Sequence, residues 1–121
     1  MKYVLLIYGA PDAEPAPGAP DYVFDDWVAA TQAMAEAGVL EAGEPLNSVE
    51  TATTVRVRGP ERMVVDGPFA ETKEHLLGFY LIDVRDLDAA LDWAGRLPNA
   101  PWGSIEVRPV PESRASAGRT A

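Results

Sequence analysis

Two short apolar runs constrain this chain more than anything else in it. Val4 to Tyr8 and Leu76 to Val84 are nearly unbroken stretches of aliphatic and aromatic residues. Successive side chains of a strand point to opposite faces, so a continuous apolar run needs cover on both. Both runs therefore read as central strands of a sheet buried on its two sides.

The rest of the chain supplies limited cover. Asp21 is placed to cap a helix. Behind it Phe24, Trp27, Val28, Thr31, Met34 and Ala35 recur at three- and four-residue spacing, and Gly38 follows as a left-handed exit. Asp86 caps a second helix with the stripe Leu87, Ala90, Leu91, Ala94 and Leu97, which Pro98 ends. Between them Val39 to Leu46 reads as a short irregular or extended piece. Thr53 to Arg58 alternates with a period of two, turns at Gly59-Pro60-Glu61 and returns over Arg62 to Val65, the pattern of a half-buried hairpin. Ser104 to Val110 alternates again and gives a last strand.

Ala10 to Pro20 carries Pro11, Pro15, Pro17 and Pro20 and reads as a loop, and residues 111–121 read as a disordered tail behind a domain spanning residues 1–110. The order is β-α-β-β-α-β with an extra hairpin strand, an α+β pattern of the ferredoxin-like type. Two helices cover one face of such a sheet, and the other face is apolar too. A second copy of the same sheet is the economical cover, so we expect a homodimer packed sheet to sheet.

Charge narrows the partners. Nineteen acidic residues against ten basic ones give a net charge of −9, which repels phosphate backbones and anionic lipid. No direct nucleic-acid partner and no membrane partner is expected. The first apolar run is too short for a secretory signal, so a cytoplasmic location is expected. With no cysteine in the chain, thiolate metal sites and cysteine nucleophiles are out. The lone histidine lacks any zinc-type spacing and no phosphate-binding glycine loop appears, so neither metal nor cofactor is expected.

Chemistry concentrates in Asp66-Gly67-Pro68-Phe69-Ala70-Glu71-Thr72-Lys73-Glu74-His75, which gathers three carboxylates, a lysine, a hydroxyl and the only histidine. An imidazole beside carboxylates supplies general acid–base catalysis. A solvated turn has the same composition, because loop backbone seeks water. Tyr8 and Tyr80 present phenols on the two central strands, either to a cavity or to the core.

These residues also carry a resemblance. Met1 to Gly9, Thr51 to Arg56, Asp66 to Glu74, Gly78 to Val84 and Glu106 to Val110 resemble, in order, the YCII-related family, and within it the branch (DGPF) named for its Asp-Gly-Pro-Phe motif. The resemblance implies a dimeric α+β barrel. It carries the motif onto Asp66, Gly67, Pro68, Phe69, Glu71, Lys73 and Glu74. Two classes of function are implied. One is a small-molecule lyase or isomerase, with Asp66 or His75 as base and Phe69, Glu71, Lys73 and Glu74 binding substrate. The other is a non-catalytic ligand-binding or regulatory module, linked to extracytoplasmic-function sigma factors. The chain departs from the family at His75-Leu76-Leu77, and its first half lacks the histidine of the distant enzymatic relatives. A His/Asp mechanism has to be rebuilt from His75.

Overall fold

The structure, a computed structural model, describes residues 1–9, 20–68 and 73–111, with residues 20–24 described as backbone only. The expected loop over residues 10–20 lies outside the described residues except for Pro20, which opens the first helix, and the expected tail over residues 111–121 lies outside them except for its first residue.

Among the described residues, six strands and two helices follow in the order β1 (Lys2–Gly9), α1 (Pro20–Glu36), β2 (Leu40–Pro45), β3 (Thr53–Arg58), β4 (Glu61–Asp66), β5 (His75–Asp83), α2 (Leu87–Gly95) and β6 (Ser104–Pro109), with a 3₁₀ turn at Val49–Thr51. Helix α1 starts at Pro20, where a missing N–H does no harm, one residue ahead of the expected cap Asp21. Gly38, just past its end, has φ +76°, the left-handed exit its position predicts. Asp86 caps α2 by accepting a hydrogen bond from the Ala89 amide at 2.9 Å. Among the described residues, no helix is long and apolar enough to cross a membrane.

Four strands form one antiparallel sheet in the order β2-β5-β1-β6. With both helices on one face, this is the ferredoxin-like α+β arrangement. Burial alternates along β1, with Tyr3, Leu5 and Ile7 buried and Val4, Leu6 and Tyr8 half-buried. The buried side joins Tyr80 and Ile82 of β5, Met34 of α1, Ala90 and Ala94 of α2 and Leu97 just beyond that helix in one core. On the opposite face Val4, Leu6, Phe79 and Leu81 remain half-buried. The central strands are thus fully covered on one side only within a single chain, and the expectation of burial on both faces is unmet by the chain alone.

Three local expectations change. The second strand of the main sheet is β2, within the segment read as irregular or extended, and not Thr53 to Arg58. Its low apolar content suits an edge strand, and at Gly43 a Cβ would lie 2.5 Å from the Tyr80 ring, so only glycine allows this register. The hairpin β3–β4 instead makes a sheet of its own, and its residues are exposed rather than half-buried, except Thr54. On the helices, Val28, Leu87 and Leu91 are exposed. In α2 the row of Ala90 and Ala94 faces the sheet, because alanines permit close approach, and Leu87 and Leu91 lie one row over.

Candidate functional site

A groove opens where the start of β6, the end of β1 and the segment before β5 meet. Tyr8, Lys73, Glu74, Ser104, Ile105 and Glu106 line it, with a volume of about 680 Å³. Ligand pockets fall in the range of about 300–1,000 Å³, so a small organic molecule fits.

Short-range geometry places these side chains. Tyr8 pairs with Ser104 across the β1–β6 ladder, and Glu106 pairs with Leu6 on the face away from the helices. The turn between α2 and β6 is drawn tightly against β1. Asn99, fully buried, donates its side-chain amide to the Tyr8 carbonyl at 3.0 Å, and its own carbonyl accepts from the Gly103 amide at 2.6 Å. A Cβ on Gly103 would strike the Tyr8 carbonyl oxygen, so glycine is what allows β6 to begin there.

Polar contacts then organise the groove. The Ser104 hydroxyl donates to Glu74 Oε1 at 3.1 Å, orienting that carboxylate. Glu106 is held by Arg108, whose Nη2 and Nε lie 2.7 and 2.9 Å from Oε2. That hydrogen bond, reinforced by the charge of Glu106, raises the Arg108 pKa above its usual value. Glu106 is therefore charge-paired with Arg108, and Glu74 is the groove carboxylate that the Ser104 hydroxyl holds. Together the lining offers a carboxylate, an ammonium, a phenol and a hydroxyl, the set needed to take a proton from carbon and hold the oxygen charge that results.

Of the residues singled out from sequence, Tyr8, Lys73 and Glu74 line this groove. His75 opens β5, half-buried and paired with Gly9 at the same end of the sheet. Asp66 ends β4, exposed, opposite Thr53 of the hairpin. Beside it the Gly67 amide donates to the Ala52 carbonyl at 2.7 Å, and its φ of +109° explains the glycine. Phe69 and Glu71 lie outside the described residues. Tyr80 is a core residue, stacked near Trp27 with ring centroids 6.4 Å apart. Ser104 and Glu106 escaped sequence reasoning, since on an alternating strand they look like any outward polar residue. Among the described residues, no three His, Cys, Asp or Glu side chains cluster so as to hold a metal ion.

A second, smaller hollow of about 250 Å³ lies between the helices, among Ala30, Met34, Trp93 and Leu97. The Arg96 guanidinium caps the Trp93 ring there at 4.1 Å from its centroid. Ala29, Ala30 and Ala33 line its α1 side, and Asp26 and Arg96 are the charged residues of its lining.

This fold, with its groove at one end of an antiparallel sheet, defines a small α+β domain of the ferredoxin-like type. Residues 1–114 match the YCII-related domain, and the chain belongs to that family. An uncharacterised protein of Rhizobium meliloti is 44% identical over 114 residues, covering 91% of this chain and 92% of its own length. Among solved structures, a 5-chloro-2-hydroxyhydroquinone dehydrochlorinase from Burkholderia phenoliruptrix, in complex with 2,5-dihydroxybenzoquinone, is 15% identical, with a TM-score of 0.47 over 95% of this chain and 98% of that one.

Proposed function

We propose that this YCII-related protein is a small-molecule lyase or isomerase that moves a proton beside a carbonyl, working in the groove between β1, β6 and the segment before β5. The observation that carries the reading is the Ser104–Glu74 hydrogen bond at 3.1 Å in a groove that also holds Lys73 and Tyr8. Glu74, oriented by Ser104, accepts the proton from the carbon next to the carbonyl. Lys73 stabilises the enolate oxygen that forms, and the Tyr8 phenol supplies a proton to the product. Glu74 takes the basic role expected of Asp66 or His75 because it lines the groove.

The motif over Asp66 to Phe69 supports membership of the DGPF branch, and the half-buried Val4, Leu6, Phe79 and Leu81 support a second copy covering the open sheet face. The non-catalytic reading, an accessory module tied to extracytoplasmic-function sigma factors, draws instead on the exposed valines of the hairpin.

Solvent-deuterium exchange into a panel of small carbonyl compounds, followed by proton NMR, tests the catalytic reading. The wild type should exchange at least one of them, and Glu74→Gln should slow that exchange by about a hundredfold or more, the usual scale of a general base. Undiminished exchange in Glu74→Gln, or none in the wild type with any binder found by thermal shift, would sink it.

A further inference from the structure

The hollow between the helices lies on the opposite side of the sheet from the groove, and its lining has the make-up of a second binding site. Protein interiors leave few voids larger than a water molecule. Yet about 250 Å³ stays open between Ala29, Ala30 and Ala33 on α1 and Trp93 near the end of α2. An apolar cavity of about 150 Å³ takes up benzene, so this one has room for a branched or aromatic side chain with polar groups attached. Met34, with no exposed surface, and Leu97, 3% exposed, supply its buried apolar lining.

Two opposite charges share that lining. Asp26 falls on the same face of α1 as the alanines, three and four residues before Ala29 and Ala30, and is half-buried. Arg96 follows α2 directly, with its guanidinium carbon 4.1 Å from the centre of the Trp93 ring. Stacking on a ring uses the face of a guanidinium and leaves the N–H donors along its edge for a carboxylate. Among the described residues, no ion pair joins Asp26 to Arg96. The hollow therefore holds a carboxylate, an oriented guanidinium and an apolar interior within reach of one small molecule.

Charge selects the class of ligand. An anion would answer Arg96 but meet Asp26 and a chain of net charge −9. A cation would answer Asp26 and be repelled by Arg96. A zwitterion answers both and has no net charge of its own. We infer that this hollow binds a free α-amino acid with an apolar side chain, its carboxylate on Arg96, its ammonium on Asp26 and its side chain against Met34 and Leu97. The site is separate from the groove, so its occupant and a groove ligand bind without competing.

Isothermal titration of the full chain with L-leucine tests this, with nitrogen–proton NMR to locate the site. Leucine should bind, shifting the amides of Ala29, Ala30 and Ala33 and the indole N–H of Trp93. N-acetyl-leucine, which lacks the ammonium, leucinamide, which lacks the carboxylate, and glycine, which lacks the side chain, should each bind at least tenfold more weakly. Asp26→Asn and Arg96→Gln should each weaken leucine binding by at least tenfold, the scale of a hydrogen bond between charged groups. Ala33→Leu, which fills the hollow, should abolish binding with far-ultraviolet circular dichroism unchanged. Because the groove also holds an ammonium and a carboxylate, Glu74→Gln serves as the control and should bind leucine as the wild type does. No binding by the wild type, equal binding of N-acetyl-leucine, or affinity unmoved by both charge changes overturns the inference. Loss of binding in Glu74→Gln with retention in Asp26→Asn moves leucine to the groove and overturns it equally.

Discussion

The Tyr80 hydroxyl lies 2.6 Å from Thr31 Oγ1, and the same Thr31 oxygen lies 2.8 Å from the Trp27 carbonyl. A carbonyl only accepts, so Thr31 spends its one proton on Trp27 and the phenol must donate to Thr31. Helix α1 is thereby tied to the centre of the sheet by a polar contact inside an apolar layer, with Trp27 stacked alongside. Removing the hydroxyl of Thr31 leaves the phenol of buried Tyr80 without its acceptor. Thr31→Val should therefore destabilise the protein by about 1–3 kcal/mol in urea unfolding, and Tyr80→Phe, which removes the donor instead, by about 1 kcal/mol.

The cap of α2 offers an independent measure. Asp86 satisfies the Ala89 amide at 2.9 Å, and Asp86→Ala should lose about 1 kcal/mol of stability by the same assay. Asp86→Asn keeps an acceptor and should retain most of it.

Core and exposed hairpin should differ sharply in their response to truncation. Leu5 has no exposed surface, and Leu5→Ala should cost about 2–5 kcal/mol through lost burial and the cavity left behind. Val57→Ala, on the exposed ribbon, should leave monomer stability within about 0.5 kcal/mol of wild type, as surface substitutions do.

Gly103 tests how the groove is assembled. A Cβ there meets the Tyr8 carbonyl and approaches Asn99 Nδ2 to 2.9 Å, and the backbone oxygen cannot swing aside as a side chain would. Gly103→Ala should push the start of β6 away from β1, costing about 1–3 kcal/mol. It should also weaken binding of any groove ligand, read by isothermal titration.

Ser104 acts through Glu74, so its loss should register in function more than in fold. Ser104→Ala should lower turnover by about tenfold, or 1.4 kcal/mol, with unchanged thermal midpoint, while Ser104→Thr, which keeps the hydroxyl, should restore most of it. A matching loss in both variants would show that bulk at this position matters and the hydrogen bond does not.

The sequence by itself determined whatever depends on neighbours along the chain. The apolar runs in β1 and β5, the three- and four-residue spacing in α1, the Asp86 cap and the left-handed Gly38 are all set within a few residues, where backbone sterics and local hydrogen bonds decide. The order of elements then leaves few sheet topologies, and the observed one is among them. Only tertiary structure decided which extended segment joins the main sheet. Leu40–Pro45 looks like poor strand material, yet it pairs with β5 because a glycine fits beneath Tyr80, whereas the valine-rich Thr53–Arg58 pairs only with its own return strand. The groove was hidden for the same reason. Lys73 and Glu74 stand out in a polar run, but Ser104 and Tyr8 join them only once Asn99 and Gly103 pull β6 against β1. Contacts between residues far apart in sequence come from how the whole core packs, and local pattern carries no record of that.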